Sequence, residues 1–341
     1  MFHIIYVRGT VRALLPFLDT LLRWSACRYC LVANGCDAAE LAQLRRRCQG
    51  EPRLRLTTLP GPDVLSHGAA LNYLYRCTTG DTFCFMDSDI LATGDFLAAL
   101  LPHLPGAAGV FSAWPLYVKA SKRVLPDDSA YLVGHHSMTP GGVHLGGTYL
   151  AIYDRTALDA GMAVVSAGFN VGWWADLPAP TQARLQSSGQ VRVRYDTGRV
   201  LNLHLLQLGY TLHVQQSAAL CHLGTYSDPP LREAERRAGG SRLRRLAGRV
   251  RRAAARLANR VRGRQPAAQG ERPVSALKRR KQRIHAYFAA VTRALDAGLP
   301  PPTPLQVGDT EIDPQIAQAT TLLIEVHRTV ENRSRLQEPE L

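Results

Sequence analysis

The chain has 341 residues, 46% of them hydrophobic, enough to bury a full core in one large domain or two ordinary ones. Its apolar runs are short: Arg12 and Asp19 interrupt residues 11–22, and no stretch approaches the ~18 uninterrupted apolar residues of a spanning helix. The formal charge of +14 is local, because residues 232–283 hold 19 basic residues against three glutamates and leave the rest slightly acidic, so overall charge says nothing about the main domain's ligands. Residues 1–9 lack a basic leader and a small-residue cleavage site and read as a first strand, so the expectation is a cytoplasmic protein.

The first 90 residues alternate in the α/β manner. Residues 4–7 form an apolar strand, and residues 11–23 carry helical periodicity through Leu14, Leu15, Leu18 and Leu22. A second strand, 29–33, ends in the turn residues Asn34-Gly35, and Asp37 then caps a helix over 38–48. Residues 54–59 read as a third strand, Ser66 caps a helix reaching Arg76, and 82–86 form a short, buried fourth strand. Strands alternating with helices predict a mostly parallel sheet covered on both faces, with ligands beyond the carboxyl ends of its strands.

Residues 95–104 read as helix, 109–114 as strand, 118–140 as polar loop and 143–153 as a strand carrying Gly146-Gly147. A loop rich in Gly and Trp (168–180), a helix from about 197 to 208 and a last strand (211–215) lead to Cys221-His222-Leu223-Gly224. From Pro229 the composition changes. Residues 242–262 place Leu243, Leu246, Val250, Leu257 and Val261 on one helical face among arginines. A polar linker near 263–275 follows, then a helix over 276–297 and a final helix opened by Pro314 with Asp313 as its cap. The expected division is a catalytic domain over 1–228 and a basic helical region over 229–341. The seven cysteines, Cys27-x-x-Cys30 among them, have no second pair or histidine motif to complete a zinc site and read as reduced thiols.

The strongest chemical signal is Phe83-Cys84-Phe85-Met86-Asp87-Ser88-Asp89. Two carboxylates two apart close an apolar strand, which would stand them at the sheet's carboxyl edge. A hard cation such as Mg²⁺ or Mn²⁺ takes one or two carboxylates together with substrate phosphates, and suits a nucleotide diphosphate leaving group. A solvated turn with two aspartates is the competing reading of these residues alone.

In the order of these parts the chain resembles the GT-A glycosyltransferases, particularly the inverting family 2. The parts are the strand and turn of residues 29–35, the helix of 38–48, the strand of 54–59, Ser66-His67-Gly68-Ala69-Ala70-Leu71-Asn72, and the strand ending in Asp87-Ser88-Asp89. The resemblance covers roughly residues 1–228. It implies a Rossmann-like GT-A fold, to which the helical C-terminal region outside the resemblance is an appendage, and transfer from a nucleoside diphosphate sugar of the UDP or GDP type to a hydroxyl acceptor. Asp89 would be the principal ligand of Mn²⁺ or Mg²⁺, and Asp87 would contact ribose or metal. Arg8, Asn34 and Asp37 would line the nucleotide pocket, with His67 and Asn72 beneath the nucleotide. His222, in its His-x-Gly setting, would reach the metal or the diphosphate. Asp37 as a plain helix cap and Asn72 as a packing residue are the alternatives.

An inverting transferase also needs a base for the acceptor hydroxyl. No Glu occurs between Glu51 and Glu233, so a carboxylate base in the core is an aspartate. Asp196 matches the family position, although the family's Glu-Asp pair is absent and Asp196 could instead cap the following helix; Asp176 is the next candidate. Gly146 and Gly147 would let backbone approach the transferred sugar, and Trp173 or Trp174 could stack on a sugar face. Retaining enzymes share the Asp-x-Asp and the late histidine, so the stereochemical outcome stays open.

The basic segment reads as a solvated helix face on the core, or as an amphipathic helix on an anionic membrane, on the inner face and beside a lipid-linked acceptor. Nucleic acid is disfavoured because residues 232–275 contain no aromatic residue for stacking. A sugar-phosphate nucleotidyltransferase is the alternative enzyme, for which Arg8-Gly9-Thr10 is a poor phosphate loop, and a non-catalytic membrane- or nucleic-acid-binding protein is the alternative outside catalysis.

Overall fold

The computed structural model describes residues 1–224, 226 and 273–336. In chain order its strands and helices are β1 (Phe2–Val7), α1 (Val11–Leu14), α2 (Phe17–Trp24), β2 (Tyr29–Asn34), α3 (Ala38–Gln49), β3 (Leu54–Thr58) and α4 (His67–Cys77). They continue as β4 (Thr82–Asp87), β5 (Ile90–Ala92), α5 (Leu97–Leu100), β6 (Gly109–Ser112), β7 (Tyr131–Leu132), β8 (Leu150–Asp154) and α6 (Arg155–Val164). Then come β9 (Gly172–Trp173), α7 (Ala179–Ser187), β10 (Arg194–Tyr195), α8 (Arg199–Gln207), β11 (Leu212–Val214), β12 (Leu220–His222), α9 (Pro273–Asp296) and α10 (Ile312–Leu336).

Seven strands form one sheet in the order β11-β6-β8-β4-β1-β2-β3. Every pairing is parallel except those of β8, which runs antiparallel between β4 and β6. Successive side chains of a strand point to opposite faces, yet every residue of β1, β2 and β6 is buried, so both faces of the sheet are covered. The expected α/β architecture and helical C-terminal region are present. A three-stranded sheet, β7-β10-β9, and a two-stranded one, β12-β5, stand beside the main sheet.

Local chemistry explains most boundaries. Asp37 accepts the Glu40 N–H while the Glu40 carboxylate accepts the Asp37 N–H, a capping box that starts α3. Ser66 accepts from the Ala69 N–H at the head of α4. The strand read over 143–153 is confined to Leu150–Asp154. The preceding segment turns at Gly146 (φ 63°), and the Arg199 and Asn202 side chains take the carbonyls of Leu145 and Gly146 out of any ladder. The helix read over 95–104 shortens to α5 and a 3-10 turn, Leu101–His103, in which Pro102 has no N–H to donate.

At the C-terminus α9 starts at Pro273, inside the expected linker, and α10 starts before Asp313. Asp313 is therefore not the residue before the helix. Its carboxylate accepts the N–H groups of Val307, Gly308 and Asp309 and holds the incoming loop. The arginine-rich helix read over 242–262, and residues 263–272 of the linker, lie outside the described residues. None of the described helices is long and apolar enough to cross a membrane.

The α9–α10 pair is tied to the sheet domain through residues 117–120. Asp309, 6% exposed, meets Lys119 Nζ at 2.6 Å and Arg280 Nη2 at 3.3 Å, the Ala120 N–H donates to Glu311, and Lys281 Nζ donates to the Tyr117 hydroxyl. Burial pushes the Asp309 carboxyl up, but the Lys119 hydrogen bond, the Glu311 N–H and the charges of Lys119 and Arg280 outweigh it and hold its pKa below the ordinary value. A carboxyl depressed in this way adds stability above its unfolded-state pKa and loses it as pH falls through the folded value. Asp309→Asn should cost about 2 kcal/mol at neutral pH, and the difference from wild type should close in strong acid. Urea unfolding of both proteins across pH checks this.

Candidate functional site

The site is assembled at the carboxyl ends of β1, β2 and β4, where loops leave a parallel sheet. Ile5 of β1 pairs with Asp87, the last residue of β4, and Val7 pairs with Asn34, the last of β2. Asp89 follows in the turn to β5. Its neighbour β12 pairs Ile90 with His222 and so carries the histidine back to the carboxylates. His222 Nε2 lies 3.1 Å from Asp89 Oδ1 and 3.4 Å from Asp87 Oδ2. One ligand atom of each of Asp87, Asp89 and His222 falls within 4.8 Å of the others.

Asp89 and His222 are each 2% exposed. Burial disfavours the imidazolium of His222. The neighbouring Asp89 and Asp87 carboxylates, with hydrogen bonds to Asp89 and the Ala113 carbonyl, nevertheless raise its pKa above the ordinary value. The position favours a positive charge. The ring's orientation comes from its other nitrogen, Nδ1, which lies 2.6 Å from the Ala113 carbonyl oxygen and donates to it. Ala113 has φ 62°, the one positive φ of a non-glycine among the described residues, so a strained backbone aims that carbonyl.

The surroundings hold the triad in place. The N–H groups of Leu223 and Tyr226 donate to the main-chain and side-chain oxygens of Asp89, and the Tyr226 hydroxyl bonds Thr292 of α9. The Asp87 N–H donates to Tyr149, whose ring lies 5.1 Å from that of His222. His67, first residue of α4, reaches to 3.9 Å from Asp87 Oδ1 and meets the Phe85 ring edge-on. The donor set suits a hard cation: two carboxylates and an imidazole locked with Nε2 inward.

The other sequence-derived candidates fall into three groups. Arg8 and Asn34 sit at the ends of β1 and β2. Arg8 donates to the carbonyls of Gly35 and Pro62, and Asn34 exchanges two hydrogen bonds with the Leu65 backbone, so both pin the 62–65 segment over this edge. Asp37 caps α3. Asn72 clamps the 167–169 loop onto α4, donating to the Ala167 carbonyl and accepting the Phe169 N–H.

The third group surrounds Asp196. Its carboxylate accepts the N–H groups of Gly134 and Thr197 and lies 4.0 Å from Arg194. It does not cap α8, whose preceding residue is Gly198 at φ 71°. A Cβ on Gly134 would stand 2.9 Å from the Tyr149 hydroxyl and 3.3 Å from Asp196 Oδ2. Tyr149 thus spans from the His222 ring to the neighbourhood of Asp196. Gly146 is buried, and a Cβ there would strike Asn202 and Phe111, so its side faces packing. Gly147, also buried, faces Trp114 and Arg199. Asp176 is exposed in the short turn Trp174–Asp176.

Three residues that hold this half together were not found in the sequence. Arg199, 1% exposed, donates to the carbonyls of Val133, Gly134, Leu145 and Gly146 and so binds both glycine-bearing loops. Tyr149 and the turned Ala113 are the others, and neither carries a motif.

The fold thus places a carboxylate pair and a histidine together at the carboxyl edge of a covered α/β sheet. Residues 4–159 match the family model described as Glycosyl transferase family 2, which bears out the resemblance read from the sequence over that segment and supports glycosyl transfer as the activity. No curated protein matches the chain. Among solved structures it is similar to mannosyltransferase PcManGT from Pyrobaculum calidifontis, in complex with GDP-Man and Mn²⁺, at 17% identity and TM-score 0.40 over 96% of this chain and 82% of that one. It is also similar to glycosyltransferase GlyE from Streptococcus pneumoniae TIGR4, at 12% identity and TM-score 0.33 over 62% of this chain and 44% of that one.

Replacing Arg199 by Leu removes the described donor of the Gly134 and Gly146 carbonyls and one of two donors to those of Val133 and Leu145. The expected loss is roughly 3 kcal/mol, read as a lower midpoint in urea, and Arg199→Lys should recover only part because an ammonium cannot fork to both loops.

Proposed function

We propose that the chain moves a sugar from a nucleoside diphosphate sugar, of the UDP or GDP type, to a hydroxyl acceptor with inversion at the anomeric carbon. The observation that carries the reading is the convergence of Asp87, Asp89 and His222 at the end of β4, the two aspartates lying within the residues 4–159 that match the family 2 model. These three residues would hold Mn²⁺ or Mg²⁺. When bound, such an ion neutralises the charge that develops on the departing diphosphate.

The chain's own residues supply the rest. The 62–65 segment, pinned by Arg8 and Asn34, walls the donor side. Asp196, two-thirds shielded and across Tyr149 from His222, accepts the acceptor's proton as its oxygen attacks the anomeric carbon and the bond to the diphosphate breaks. The Gly134 and Thr197 N–H groups fix the orientation of its carboxylate. Asp176, exposed and apart from this network, is the weaker base. The Arg8 guanidinium is directed to two carbonyls rather than presented as a phosphate loop, which favours transfer over the nucleotidyltransferase reading.

Asp89→Asn should lower the transfer rate by roughly a thousandfold with an unchanged circular dichroism spectrum; near-normal turnover of the variant in chelator would remove the metal assignment. Asp196→Asn should slow transfer by about 10²- to 10⁴-fold while donor affinity, measured by calorimetry, stays at the wild-type value. Joint loss of donor binding and thermal stability would make Asp196 a structural residue.

A further inference from the structure

The small β7-β10-β9 sheet presents a row of side chains that neither the core nor the donor site uses. Arg194 of β10 pairs in register with Tyr131 of β7 on one side and with Trp173 of β9 on the other. Side chains of residues in register on adjacent strands share a face, so Tyr131, Arg194 and Trp173 stand in one line. The next row, Leu132, Tyr195 and Gly172, is buried and faces the domain. The outer row therefore faces solvent, with Tyr131 47% and Trp173 41% exposed. Its members interact: the Arg194 guanidinium lies 5.7 Å from the Trp173 ring centroid.

The row is continuous with the proposed catalytic base. Arg194 precedes Asp196 by two positions, and its Nη2 lies 4.0 Å from Asp196 Oδ1. The Leu132 carbonyl accepts the Asp196 N–H, which ties β7 to the base as well.

We propose that this row is the acceptor platform and that the acceptor is a saccharide. The proposal rests on the transferase reading above and names the substrate class of that same site. A pyranose presents an apolar face of C–H groups, which packs on an indole, and a rim of hydroxyls, which accept from a guanidinium. Trp173 and Tyr131 supply the first and Arg194, between them, the second, with Asp196 beside Arg194. A docking surface for another protein would be a broader apolar patch, whereas here a cation separates two aromatic rings. A sugar lying on Trp173 would be held beside the Asp196 carboxylate, where one of its hydroxyls can lose a proton.

The test uses the full chain and two independent readouts. Tryptophan fluorescence is titrated with cellotetraose, mannotetraose and chitotetraose, and acceptor-independent hydrolysis of UDP-glucose and GDP-mannose is followed in parallel. At least one tetrasaccharide should bind. Trp173→Ala should weaken that binding and raise the KM for that saccharide as acceptor by about tenfold or more, with donor hydrolysis unchanged and Trp173→Phe restoring most of the loss. Because Trp173 is exposed, the variant should fold as wild type. Equal binding by Trp173→Ala, or no saccharide bound by a wild type that hydrolyses donor, would overturn the platform and leave the transferase reading standing. A wild type that neither binds nor hydrolyses any nucleotide sugar would instead overturn the reading beneath it.

Discussion

Two carboxylates at the end of a buried strand set the terms for the rest of the molecule. Asp89 is nearly sealed from water beside Asp87, and like charges taken out of water together are costly unless a cation joins them. The structure answers from several directions. His222 is brought in by β12, and its outer nitrogen is fixed by a strained Ala113. Tyr226 then donates its N–H to Asp89 and leans through its hydroxyl on α9. The C-terminal helix pair is thereby joined to the site.

A second buried charge organises the other half. Arg199 has no carboxylate in direct contact among its described hydrogen bonds and is satisfied by four loop carbonyls. That arrangement fixes the loop carrying Gly134, which in turn donates to Asp196. Tyr149 joins the halves, its backbone on Asp87, its ring against His222 and its hydroxyl near Gly134. One tyrosine length thus separates the charge that would receive a diphosphate from the carboxylate that would take a proton.

Much of this was legible in the sequence because the relevant signals are local. Apolar strands, the Asp37 and Ser66 caps and the Asp-Ser-Asp run each depend on neighbours a few residues away, and their order gave the sheet and its carboxyl edge. The less regular second half was not legible for a physical reason. Residues 143–149 have strand-like composition, but Arg199 and Asn202, more than fifty positions later, claim the carbonyls a strand would have used. Long-range polar contacts of this kind leave no periodicity. Asp313 was misread for a related reason: an aspartate before Pro314 looks like a cap, and only the loop folding back onto it shows that it serves residues 307–309.

Pulsed electron paramagnetic resonance of Mn²⁺ added to the protein decides whether Asp87, Asp89 and His222, which converge at the end of β4, form one divalent-cation site. The expected spectrum is that of a tightly bound ion with a directly coordinated nitrogen, the nitrogen coupling vanishing in His222→Ala while the ion is still held, more weakly, by the two aspartates. Bound Mn²⁺ with no nitrogen coupling in the wild-type protein, or the same coupling in His222→Ala, would contradict it.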